Sequence, residues 1–287
     1  MRILFLLIIP FFLSSDLVLE ITRGAEKQIK LGIIQTDFTE LDATQIIDVI
    51  KNDLERTGEF ILIPSTEMLS IPTSPDSVIH RDWLLLDADA IIFLTTEKLG
   101  ESIDIAYSIY DIRAKKIVLK KKIYGVPDGL RQSSHYVSVG IYKHYYGIEG
   151  VSSTKLMYVA KNDDIYRLIV SDADGFNEQT LLKSTQSIIS PAWSPDAKDV
   201  AYVSFENNRA QVFTQNLETG TRKLILSSKF SVSAPAWSPD RRYIAFTSTM
   251  DGNSEIYIIN LITKKIERLT ENSAIDTEQL GAQMEKK

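Results

Sequence analysis

A chain of 287 residues is long enough for one or two buried cores, and its net charge of -6 with a pI near 5.3 suits nucleic acid poorly as a bulk electrostatic partner. It contains no cysteine, which excludes a disulfide framework, a zinc ribbon and a thiol nucleophile. The chain opens with Arg2, an apolar run over residues 3–13 and the small pair Ser14-Ser15. That is the order of a secretory signal peptide, and a bilayer span needs about 20 apolar residues. Residues 1–15 are therefore read as a cleaved leader, and the mature protein as exported and soluble. Asp16, Leu17, Val18, Leu19, Glu20, Ile21 and Thr22 alternate as a strand does, but they stand at the new terminus, where a segment frays unless it pairs.

Residues 30–34 form a short apolar strand. Residues 42–56 carry Ile46, Ile47, Val49, Ile50 and Leu54 on one helical stripe, with Asp42 as N-cap and Gly58 as the stop. A strand over 60–63 ends at Pro64, and short helices over 65–68 and 78–86 flank a polar loop at 71–77. Residues 90–94 read as a buried strand. Ile103, Ile105, Tyr107 and Ile109 alternate with Asp104, Ala106 and Ser108, which predicts a strand with one wet face. A turn at 113–115 leads to its partner over 116–124. Lys120-Lys121-Lys122 then lie on a solvated edge that discourages edge-to-edge pairing. A helix over 129–146 and a joint at 147–153 end this α/β domain, and a boundary is placed at residue 150.

Beyond it the pattern is short strands only. The hexapeptide Pro-Ala-Trp-Ser-Pro-Asp occurs at 191–196 and again at 235–240, and Trp193 and Trp237 are 44 residues apart. The phase holds afterwards: Ala201-Tyr202 falls on Ala245-Phe246, Phe213 on Tyr257, Leu217 on Leu261 and Thr219 on Thr263. A period of about 40–45 residues with several short strands is the signature of a β-propeller blade. Ser-Pro-Asp turns the chain, because proline presets φ and the Asp side chain caps the bend. Trp193 and Trp237 are read as packing between blades. Tyr158 stands 44 residues before Tyr202, so a first blade begins mid-repeat.

Reactive constellations are missing from the sequence. The histidines are His80, His135 and His144, and none belongs to an H-E-x-x-H motif. His135 and His144 share a predicted helix and read as surface residues. No G-x-S-x-G elbow or P-loop occurs. Asp172-Ala173-Asp174-Gly175 matches part of a calcium loop, but Val170 and Leu181 stand where the flanking carboxylates are required, so a hairpin turn is expected. No catalytic residue, cofactor site or metal ligand set is assigned, and a binding protein is favoured. The alternative is the propeller portion of a peptidase-like enzyme lacking its hydrolase domain; a small-ligand sensor built on residues 40–101 has no supporting motif.

The leader, the α/β domain, the run Val-Ser-Asp-Ala-Asp-Gly-Phe-Asn at 170–177 and the two Trp-Ser-Pro-Asp repeats, in this order, resemble the TolB family. That family is the periplasmic component of the Tol–Pal system of Gram-negative bacteria. The resemblance implies an α/β domain joined to a six-bladed propeller without enzymatic activity. It implies two partners: the peptidoglycan-associated lipoprotein Pal at one propeller face, and TolA through the mature N-terminal arm. Switching between them would support the outer membrane and its constriction during cell division. Carried over by position, the arm is Asp16 to Thr22, and the Pal-facing residues are Ser231, Ala234 and Thr277. Ser231 stands where the family often has histidine.

Six blades of this period need about 264 residues, because propellers close their ring with four to eight blades, and 137 residues follow Gly150. The expectation is an incomplete propeller over 151–278, with about two to three of six blades. An unclosed arc exposes apolar faces, so the α/β domain is expected to fold while the arc is poorly stable. The next repeat tryptophan is due at 281, where the chain has Gly281. A stretch encoding Pro-Thr-Trp-Ser-Pro-Asp-Gly-Lys-Lys as CCA ACT TGG AGC CCA GAT GGA AAA AAA, short of one C, reads CAA CTT GGA GCC CAG ATG GAA AAA. That translates as Gln-Leu-Gly-Ala-Gln-Met-Glu-Lys, the residues found from Gln279. Residues 279–287 are therefore expected to be out of frame, with the restoring frame present in the coding DNA.

Overall fold

The computed structural model describes residues 27–37, 43–100, 102–125, 129–271 and 273–277. The leader, the arm from Asp16 to Thr22, the expected N-cap Asp42 and the tail over 279–287 lie outside these. Two compact units are formed, one from residues 27–37, 54–95 and 107–120, the other from residues 43–53, 96–100, 102–106 and the described residues from 121 onward. Among the described residues, no helix is long and apolar enough to cross a membrane.

The first elements alternate as expected: β1 (Ile29–Asp37), α1 (Ala43–Arg56), β2 (Phe60–Leu62), α2 (His80–Leu85), β3 (Ala90–Leu99), β4 (Ser102–Asp111), β5 (Lys116–Ile123) and α3 (Leu130–Tyr146). The sheet order is β2-β1-β3-β4-β5, and β1 runs parallel to both β2 and β3. Parallel neighbours need a crossover, which α1 supplies between β1 and β2. Gly58 ends α1 in the left-handed region at φ 75, its N–H donating to the Glu55 carbonyl. Trp83 of α2 is fully buried among Ile34, Ile63, Ile91 and Phe93. It lies so close to β1 that a Cβ at Gly32 would stand 2.4 Å from the indole ring, so only glycine fits there.

The expected wet face of β4 is not wet. Asp104, Ser108 and Tyr110 are buried, as are Ile105, Tyr107 and Ile109 on the other face. Burial is possible because Asp104 is paired with Lys122 of β5 at 2.9 Å and accepts the Gly125 N–H at 3.0 Å. The Lys122 and Gly125 contacts hold the Asp104 carboxyl below the usual range. Lys120 and Lys121 stay exposed, but Lys122 serves as a counter-ion.

Three further antiparallel sheets follow. They are β6 (Lys155–Asn162), β7 (Ile165–Asp172) and β8 (Gln179–Ser184); then β9 (Ile188–Trp193), β10 (Asp199–Ser204), β11 (Ala210–Asn216) and β12 (Arg222–Ser228); then β13 (Val232–Trp237), β14 (Tyr243–Ser248), β15 (Glu255–Asn260) and β16 (Ile266–Arg268). Their registers repeat with the sequence: Tyr158 opposes Ile169, Tyr202 opposes Phe213, and Phe246 opposes Tyr257. Trp193 pairs with Val200 and Trp237 with Ile244, so both tryptophans end the first strand of a four-stranded blade. The first blade has three strands, because the positions one repeat before β9 fall at the end of α3. None of the four sheets closes on itself, and the architecture is an α/β part followed by an incomplete propeller.

Alternation along β10 explains how the blades stack. Val200 and Tyr202 face one way, into a core with Leu168 and Phe213; Ala201 and Val203 face the other, into a core with Trp237, Ile244 and Phe246. A strand buried on both faces reads as a continuous apolar run, as Val200-Ala-Tyr-Val203 does. In both four-stranded blades the turn after the first strand is built by serine. Ser194 Oγ donates to Asp196 and accepts the Asp199 N–H, and Ser238 does the same with Asp240 and Tyr243. The serine hydroxyls lower the Asp196 and Asp240 carboxyls.

Candidate partner-binding surface

Ser231 and Ala234 lie together at the start of β13. The Ser231 side is exposed, and its carbonyl is pinned by the Ser248 hydroxyl at 2.8 Å and the Thr249 N–H at 3.3 Å. Ala234 adopts φ 47, where the pairing of β13 with β14 shifts register between Ser233 and Ala236. A non-glycine residue at positive φ is uncommon, and a bulge re-aims the side chains around it. Ser190 adopts φ 50 one repeat earlier, also at a register shift. The bulge is thus a property shared by both four-stranded blades.

Thr277 is exposed beyond β16, in the segment anchored by the Asp276 N–H to the Ser254 carbonyl at 2.9 Å. It stands one repeat after Ser233, between the two other candidates in phase. Phe230, partly exposed with the Lys229 ammonium 5.2 Å from its ring, extends the Ser231 loop with an apolar and a cationic group. Sequence reasoning passed over it; the signal was an aromatic residue in an inter-blade loop.

A second set of polar side chains is buried. His135 of α3 places Nδ1 2.7 Å from the carboxylate of Asp53 on α1, with each side chain 1 % exposed. Its Nε2 faces Asp174 at 3.9 Å. Asp174 is ion-paired with Arg131, one helical turn before His135, and accepts the Phe176 N–H at 3.0 Å. Burial pushes the Asp174 carboxyl up, but the Phe176 N–H and the Arg131 guanidinium outweigh it and leave the group lowered. The same hairpin carries Asp172, paired with Lys155 and with the Asn177 amide at 2.7 Å.

The expectation that His135 is a surface residue is thus corrected: it is held inside by a partner 82 positions away. His144 is exposed, as read from the sequence. Among the described residues, His135, Asp172 and Asp174 offer metal-type ligand atoms within 4.8 Å of one another. Both carboxylates already hold a cation, Lys155 or Arg131, so the group acts as a relay of hydrogen bonds and ion pairs joining α1, α3 and the β7–β8 hairpin. The hairpin reading of Asp172–Gly175 matches the structure: Gly175 takes φ 82 and donates to the Asp172 carbonyl.

A family model described as the TolB amino-terminal domain matches residues 17–118, and one described as the TolB beta propeller domain matches residues 142–280. The Tol-Pal system protein TolB of Hahella chejuensis (strain KCTC 2396) is 37% identical over 76% of this chain and 52% of its own length. That of Marinomonas sp. (strain MWYL1) is 36% identical over 74% of this chain and 52% of its own. The crystal structure of TolB from Acinetobacter baumannii superposes with a TM-score of 0.80 at 31% identity, covering 89% of this chain and 63% of that one. The chain belongs to the TolB family. It spans about half the length of the curated TolB relatives it matches. The arm from Asp16 begins one residue before the TolB amino-terminal match, and Ser231, Ala234 and Thr277 fall within the TolB propeller match.

Proposed function

We propose that this chain is a non-enzymatic periplasmic component of a Tol–Pal system, a scaffold that binds Pal and TolA to support outer-membrane integrity and its invagination during division. The observation that carries this reading is the match to both TolB domains in order, with relatives named as Tol-Pal system proteins. The arm Asp16 to Thr22 is assigned to TolA, and the edge bearing Ser231, Ala234 and Thr277 to Pal. Exposed loops on repeated rigid blades suit recognition, since each loop is held by a sheet and free to vary.

The test is binding of the exported protein to purified Pal and TolA by calorimetry. Deleting residues 16–22 is expected to abolish TolA binding and leave Pal binding intact. Ala234→Asp is expected to weaken Pal about tenfold or more, as for a buried interface position, without changing TolA binding. Absence of binding to both partners, or hydrolysis of peptide substrates, would overturn the assignment and favour the peptidase-like alternative.

A further inference from the structure

Because the blades repeat, each interface is a control for the other. Between β9–β12 and β13–β16 lies a cavity of about 550 Å³ with Trp237 in its wall. Its two sides are tied together. Arg241 ion-pairs with Asp196 and Asp199 of the preceding blade and stands 5.9 Å from the Trp237 ring. The Trp237 indole N–H donates to the Ala192 carbonyl at 3.3 Å.

The equivalent cavity between β6–β8 and β9–β12 measures about 670 Å³ and has Trp193 in its wall. All four ties are lost. The position of Arg241 is taken by Ala197, in the same left-handed backbone (φ 60 and 55). Asp196 and Asp199 become Ser152 and Lys155. No hydrogen bond joins the Trp193 indole N–H to a described residue. Charge is exchanged across the sheet as well. Asp199 is bonded by Asn216 in one blade, while Lys155 is paired with Asp172 in the other. The cavity therefore presents a half-exposed ammonium where its counterpart presents a carboxylate, beside an uncovered indole and the apolar Leu181 and Leu217.

We propose that this cavity binds a small aromatic carboxylate. The ring stacks on the Trp193 indole, in the place a guanidinium takes over Trp237, and the carboxylate accepts from Lys155 and the indole N–H. A cationic ligand is disfavoured by Lys155, and a purely aliphatic one would leave the indole N–H without an acceptor. The volume lies within the roughly 300–1,000 Å³ of small-molecule sites. The proposal is independent of partner binding at the Ser231 edge.

The test is calorimetric titration of the full chain with naphthalene-2-carboxylate, using 2-naphthylmethylammonium as the charge-reversed control. One saturable site for the carboxylate is expected, with at least tenfold weaker binding of the ammonium. The triple variant Lys155→Asp, Asp172→Asn, Ala197→Arg copies residues that the next blade already accommodates, so it is expected to keep the parental urea midpoint and to lose the site. Trp193→Phe, which keeps a ring but removes the N–H, is expected to weaken binding several-fold. Absence of saturable binding, equal affinity for the ammonium, or undiminished binding by a folded triple variant would overturn the proposal.

Discussion

Replacing Trp237 by alanine is expected to lower the unfolding free energy by about 3–5 kcal/mol, the range for deleting a large aromatic side chain from a packed core. The measurement is the urea midpoint followed by far-UV circular dichroism. Trp237 is 7 % exposed and sits in the core formed with Val203, Val212, Ile244 and Phe246. Its removal leaves a void between two blades and also deletes the N–H bond to Ala192. Trp193→Ala should cost less than half as much. Trp193 occupies the same repeat position, but it is partly exposed, lines an open cavity and lacks the N–H bond. Equal costs for the two substitutions would show that the two interfaces are packed alike, against the structure described above.

His135→Ala is expected to cost about 3 kcal/mol, because it takes one partner from a buried hydrogen bond and leaves a void the size of the imidazole. The imidazole and the Asp53 carboxylate are bonded at 2.7 Å with almost no solvent access, and Asp174 faces the other ring nitrogen. Two companion variants separate this from a general effect on α3. His144→Ala, on the same helix but exposed, should leave the midpoint unchanged. Asp53→Asn keeps a hydrogen-bonding group of the same shape and should fall between the two. A His135→Ala midpoint indistinguishable from that of the parent would rule out a structural part for the relay.

The blades are legible in the amino-acid sequence because nearly all that builds a blade is local. In both four-stranded blades the turn is made by a serine and an aspartate two residues apart, and each hairpin pairs strands within one period. Similar local sequence therefore yields the same register, down to the positive φ shared by Ser190 and Ala234. The α/β elements were legible for a similar reason, since Gly58 stops α1 through its own backbone. Local alternation failed at β4. It cannot show that Asp104 is neutralised by Lys122 from the next strand, and an unpaired aspartate would indeed have faced water.

By itself, the amino-acid order determined the repeat, the strand pairing inside each blade, and which residues occupy equivalent positions. It also showed that Ala197 stands where Arg241 stands one period later. Only the tertiary structure decided what that difference does, by bringing Arg241 against Asp196 and Asp199, 45 and 42 residues earlier in the chain. The same holds for His135, whose burial rests on Asp53. Periodicity reports which face a side chain takes. Whether a charge can be buried there depends on a counter-charge from distant chain, and that partner is set by how the elements pack.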